Sequence, residues 1–118
     1  MNVGTDVIEI ERVEKSAQNE SFLRGVYTQN ELEYYRAHGS KAETLAGMFC
    51  AKEAVSKAFG SGFSGFRPCD IEILHGENGA PRVNLLGSAK QKYNAEKIKI
   101  SISHCVSYAT ATAVYLDD

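Results

Sequence analysis

The stretch from Lys41 to Phe59 reads as one long helix closed by Gly60, glycine being the residue most often found just past a helix end. On a 100° wheel Leu45, Met48, Phe49, Val55 and Phe59 fall on a single arc, the core face of an amphipathic helix. Gly47, Ala51, Ala54 and Ala58 line another side, where a neighbouring element can approach closely. Two residues break the pattern. Lys52 and Ser56 lie within the apolar arc, where an unpaired ammonium is costly to bury.

The flanking segments supply strands for this helix to pack on. Val3, Val7, Ile8 and Ile10 make a β-leaning segment, interrupted by Gly4-Thr5-Asp6 and passing into the charged run Glu9 to Lys15, so strand then helix. Thr28-Gln29-Asn30-Glu31 has the form of a capping box and predicts a helix to about Arg36, ending near Gly39. Beyond the central helix, Gly60 to Pro68 is a glycine-rich loop with two aromatic residues, able to approach a ligand closely and equally able to serve as a flexible connector. Ile71 and Ile73 alternate on one side of Gly76-Glu77-Asn78-Gly79, Val83 and Leu85 on the other, which predicts a hairpin. Ser88 to Glu96 is weakly helical. Ile98, Ile100 and Ile102 alternate with Lys99, Ser101 and Ser103 in a half-buried strand; His104 to Ser107 turns, and Tyr108 to Leu116 returns with Ala109, Ala111 and Ala113 inward. With no repeat, low-complexity tract or linker, residues 1–118 are expected to form a single α+β domain, an antiparallel sheet packed against a long central helix.

Size and charge narrow the function. A chain of 118 residues buries a modest share of its surface, so a deep private cleft is hard to build in one copy and a site between subunits is favoured. The formal net charge of −2 argues against a nucleic-acid binder. No segment approaches the roughly 20 apolar residues of a membrane span, and MNVGTDVIEI lacks a basic stretch before an apolar run, so no membrane is involved and a cytoplasmic location is expected. Cys50, Cys69 and Cys105 are odd in number with no CxxC pair, and read as reduced structural thiols; His38 and His75 read as surface residues.

Glu53 and Lys57 stand at i and i+4 on the flank of the central helix, and spacing alone describes an exposed ion pair worth a few tenths of a kcal/mol. Asp6 supplies a second carboxylate just after the glycine of the first strand. Magnesium is commonly held by one or two carboxylates together with waters and substrate phosphates, and Asp6 with Glu53 meets that requirement. An ammonium from Lys57 beside them would complete a phosphate-binding group.

These residues carry a resemblance to holo-acyl-carrier-protein synthases, the small single-domain type of 4′-phosphopantetheinyl transferase. Gly4 to Arg12 is similar to the family's opening Gly-x-Asp and following arginine. Phe49-Cys50-Ala51-Lys52-Glu53-Ala54-Val55-Ser56-Lys57-Ala58 resembles its aromatic-x-x-Lys-Glu-x-x-x-Lys-Ala helix. Ile100-Ser101-Ile102-Ser103-His104, with Tyr108-Ala109-x-Ala111, resembles its closing Ser-x-Ser-His strand and return strand. The resemblance implies transfer of 4′-phosphopantetheine from coenzyme A to a serine of an apo-acyl carrier protein, of fatty-acid synthesis or another type, with release of 3′,5′-ADP. It implies that Asp6 and Glu53 hold Mg2+, that Glu53 and Lys57 are catalytic, that Lys57, Ser103 and His104 bind the coenzyme, and that Arg12 meets the carrier. A metal-bound water, or Glu53 acting through one, is the expected acceptor of the serine proton. A homotrimer with intersubunit sites is implied as well. Met48 departs from the pattern, standing where some members have an arginine, and Lys41 or Arg82 is expected to replace that cation at the 3′-phosphate. Two other readings remain open: a non-catalytic module binding coenzyme A or carrier protein, and a magnesium-dependent phosphohydrolase.

Overall fold

The computed structural model describes residues 1–117. Along the chain run β1 (Asn2–Glu9), α1 (Ile10–Ser16), α2 (Glu20–Val26), α3 (Gln29–Ala37), α4 (Ala42–Ala58), β2 (Ile71–His75), β3 (Pro81–Leu85), α5 (Gly87–Lys92), β4 (Ile98–His104) and β5 (Tyr108–Tyr115), with 3-10 turns at Pro68–Asp70 and Ala95–Lys97. The strands form two antiparallel sheets rather than the single one expected, a three-stranded sheet in the order β1-β5-β4 and the hairpin β2-β3. In the first, Asp6 and Ile102 both stand opposite Ala111; in the second, Ile73 stands opposite Val83.

Helix α4 packs against β1, β4 and β5 and also against β2, so it lies between the sheets. This explains why its buried residues extend well beyond one arc, to Ala46, Cys50, Ala51, Lys52, Ala54, Ser56 and Ala58. The side of small residues is where the three-stranded sheet comes closest. A Cβ on Gly4 would overlap the Ala54 carbonyl and come within 2.7 Å of the Ala58 nitrogen, so only glycine lets β1 lie this near the helix. On β4, Ile102 fits over Gly47, 3.0 Å from where a Cβ would be.

The misplaced Lys52 is resolved by a partner distant in sequence. Fully buried, its ammonium lies 2.8 Å from the equally buried Glu31 and donates to the carbonyls of Ile71 at 2.6 Å and Pro68 at 3.1 Å. Glu31 is also the far member of the capping box at Thr28 and accepts from the Ile73 backbone at 2.7 Å. Thr28 donates on to Glu72, which accepts from Asn30 and Asn84 as well. Burial alone pushes the Glu31 carboxyl up and the Lys52 ammonium down, so each depends on the other to stay charged. The network ties α3, α4 and the hairpin together and has no part in the carboxylate site described below.

Gly60, at φ +82°, ends α4 as expected, and the loop beyond it folds back onto the core. Phe59 stacks on Tyr93 with ring centres 3.7 Å apart, and Phe66 and Tyr115 meet it edge-on. Phe63 packs on Phe66, so the glycine-rich segment is anchored by its aromatic residues.

Candidate active site

Along β1 successive side chains point to opposite faces, and Gly4, Asp6 and Ile8 face the helix while Thr5 and Val7 face away. The close approach at Gly4 brings Asp6 beside the last turns of α4. There the Lys57 ammonium lies 3.2 Å from Asp6 Oδ1 and donates to the Thr5 carbonyl at 2.9 Å. Lys57 therefore crosses to β1 instead of forming the i,i+4 pair with Glu53, and among the described residues Glu53 has no ion-pair partner. Burial raises the Glu53 pKa, and the neighbouring Asp6 charge raises it further, against a smaller opposing effect of Lys57. Behind them, Cys50 is buried and donates to the Ala109 carbonyl at 3.4 Å; burial, then the charge of Asp6, pushes its thiol up to about 12, which leaves it inert as a nucleophile. The Thr110 hydroxyl donates to the Asp6 carbonyl at 2.9 Å and fixes the strand at this point.

Two carboxylates and one ammonium leave a local charge of −1 on hard oxygen donors. No group of three or more His, Cys, Asp or Glu among the described residues could cage a metal by itself. The arrangement fits an ion that takes few protein ligands and completes its shell with water and phosphate, as magnesium does. Asp6 and Glu53 are the residues that would hold it.

His104 stands elsewhere, at the other end of α4. Its Nδ1 is 3.5 Å from Glu43 Oε2, in a cavity of about 460 Å³ whose wall includes Tyr34, His38, Lys41 and His75. Glu43 and Glu53 are ten residues apart on one helix, a rise of about 15 Å. Met48, also on the cavity wall, is five residues from Glu53, so along the helix the cavity reaches to about 8 Å from the carboxylate pair without including it. His38 and His75, read from the sequence as surface residues, belong to the cavity wall: Tyr34 is sandwiched between them, with ring centres 4.0 Å from His38 and 4.1 Å from His75. The spacing of Tyr34 and His38, one helical turn apart, was the signal for the first contact; nothing local announced the second. Met48 and Lys41 line the cavity, whereas Arg82 on β3 does not. Ser103 lies on the opposite face of β4 from His104 and is exposed. Arg12, on α1, is exposed and has no side-chain partner among the described residues.

Residues 2–113 match the family described as the 4′-phosphopantetheinyl transferase superfamily. The chain is 47% identical over 116 residues to a holo-acyl-carrier-protein synthase from a Thermoanaerobacter species, covering 95% of this chain and 84% of that one. It is 45% identical over 123 residues to the synthase of Fusobacterium nucleatum, covering 98% of each. Among solved structures it resembles the Helicobacter pylori synthase in complex with coenzyme A, with a TM-score of 0.83 and 28% identity over 97% of this chain and 99% of the other. The Bacillus anthracis synthase, in complex with coenzyme A (3′,5′-ADP), gives a TM-score of 0.81 and 31% identity over 97% and 94%.

Proposed function

The chain belongs to the 4′-phosphopantetheinyl transferase superfamily, and on that footing we propose that it transfers the 4′-phosphopantetheine arm of coenzyme A to a serine of an apo-acyl carrier protein, releasing 3′,5′-ADP. The observation that carries the mechanism is the convergence of Asp6, Glu53 and Lys57 where β1 crosses α4. The serine oxygen bonds to the β-phosphorus of the coenzyme as the bond to 3′,5′-ADP breaks. Such transfers depend mainly on positioning and charge stabilisation. Asp6 and Glu53 would hold Mg2+, which would supply charge neutralisation to the diphosphate. Lys57 faces the charge that develops on the transferred group. Glu53, through a water, accepts the serine proton.

The nucleotide end of the coenzyme is assigned to the cavity beside His104. A volume of about 460 Å³ is in the ordinary range for a small-molecule site. Lys41 takes the place of the missing arginine there, since it lines the cavity and Arg82 does not. The small size of the chain, with neither Asp6 nor Glu53 on the cavity wall, favours a site composed from two copies. The outer face of the three-stranded sheet offers the surface for this, with Val3 58%, Val7 64% and Tyr108 50% exposed. We assign it to a homotrimer whose sites lie at the subunit boundaries. Ser103, on that outer face, would then reach the coenzyme only in such a boundary. Arg12 is assigned to the acidic carrier. Three free cysteines suit a reducing, cytoplasmic setting, and no helix among the described residues is long and apolar enough to cross a membrane.

The test is the intact mass of an apo-acyl carrier protein after incubation with the protein, coenzyme A and magnesium. The carrier gains the phosphopantetheine arm if the proposal holds, and Glu53→Ala abolishes the gain. An unchanged carrier with intact coenzyme would indicate a binding module; an unchanged carrier with cleaved coenzyme, a phosphohydrolase.

A further inference from the structure

All three histidines of the chain meet in one cavity, and their ring nitrogens are not equivalent. The titratable and charged groups facing it are Tyr34 from α3, His38 and Lys41 from the turn after it, Glu43 from α4, His75 from β2 and His104 from β4. With the imidazoles neutral, Lys41 and Glu43 cancel and the cavity has no net charge. A phosphate monoester arriving there brings about −1.5 to −2. Charge must come from somewhere, and the histidines are the groups that can supply it by taking up protons.

Their surroundings decide which do so. The His38 Nδ1 is 2.9 Å from the Tyr34 carbonyl. A carbonyl only accepts, so Nδ1 carries the proton and Nε2, on an exposed ring, is left to take a second. His104 has Glu43 at 3.5 Å, and a proton on it completes an ion pair. His75 is different: its Nδ1 is buried without a hydrogen-bond partner, so protonation would bury an N–H with no acceptor. Burial, and then the nearby His38, accordingly hold its proton affinity below the ordinary histidine value.

From this geometry we infer that binding of a phosphorylated nucleotide in the cavity is coupled to proton uptake by His38 and His104, while His75 stays neutral as part of the ring stack. The inference rests on the assignment of the nucleotide end of coenzyme A to this cavity. It adds His38 as a determinant of nucleotide affinity and makes that affinity depend on pH: a group charged only in the complex strengthens binding at low pH and ceases to do so as pH rises past its bound-state value.

Calorimetry of 3′,5′-ADP binding to the full-length protein tests it, with each pH measured in two buffers of different ionisation enthalpy so that protons drawn from the buffer are counted. Net uptake is expected, with affinity falling about tenfold from the acid to the alkaline end of the series. His38→Gln and His104→Gln each reduce the uptake, whereas His75→Phe, which preserves a stacking ring, leaves it unchanged. If both glutamine variants take up as many protons as wild type, the proton belongs to the ligand's own phosphate and the inference fails while the transferase reading stands. Binding with no proton exchange also overturns it. Failure of wild type to bind 3′,5′-ADP at any pH overturns the cavity assignment and the inference with it.

Discussion

The Lys57 ammonium had two carboxylates within reach, Glu53 one turn back on its own helix and Asp6 across on β1, and it sits 3.2 Å from Asp6. Helical spacing identified the first candidate but could not exclude the second, because the choice depends on how near a strand from the start of the chain can come. Gly4 sets that distance, and its significance became visible only with Ala54 and Ala58 beneath it. Arg12 and the cysteines make predictions at this scale. Arg12 is exposed on α1, so Arg12→Glu should raise KM for the carrier about tenfold with little change in kcat, rim charges acting mainly on association. Steady-state kinetics with varied carrier checks this, and an unchanged KM leaves Arg12 without that role. Cys105 is exposed and its thiol is held below the usual value by backbone hydrogen bonds from Ser107 and Tyr108, while that of Cys50 is pushed up to about 12. A lower pKa means more thiolate, so iodoacetamide should modify Cys105 well before Cys50 in the folded protein, as peptide masses would reveal.

Elements were legible where their signals were local. The capping box at Thr28 forms with both of its hydrogen bonds, α4 runs within a residue of its expected ends, and β2 and β3 pair around the expected turn. Helix α2 was not foreseen: Glu20–Val26 is short, carries Gly25, and owes its start to the Asn19 side chain. The division into two sheets was hidden for another reason. Alternation tells which face of a strand is buried but not which strand lies beside it. The strand also runs one residue further than expected: His104, read as the start of the turn, is the last residue of β4 and so falls on the opposite face from Ser103. Lys52 marks the limit of helix-wheel reasoning, since the wheel exposed the anomaly while the partner, Glu31, lay on a different helix. Lys52→Met should strand Glu31 as a buried unpaired carboxylate and cost about 3–5 kcal/mol in urea denaturation. Adding Glu31→Gln should recover part of this, since an amide can remain neutral and still accept from the Ile73 backbone. A single variant as stable as wild type would contradict the structural role given to the pair.

At the scale of the whole molecule, one chain has a carboxylate pair, a cavity of about 460 Å³ whose wall begins about 8 Å away along α4 at Met48, and an uncovered sheet face with exposed valines. Small size had already favoured a shared site, and the outer face of the sheet is where sharing can occur without disturbing the core. Val7→Glu changes a side chain that is 64% exposed in the single chain, so the fold should survive by circular dichroism. In the proposed trimer the same carboxylate would be buried, so sedimentation should show monomer with transfer reduced about tenfold or more. An unchanged oligomer would move the interface elsewhere. The proposed mechanism requires that Asp6 and Glu53 together hold a divalent cation, which would neutralise the diphosphate of the coenzyme. The most direct test replaces magnesium with Mn2+ and follows paramagnetic broadening of the coenzyme's 31P resonances in the complex. The diphosphate signals should broaden strongly with wild type and stay sharp with Asp6→Asn or Glu53→Gln at the same Mn2+ concentration; equal broadening in wild type and both variants would contradict the account.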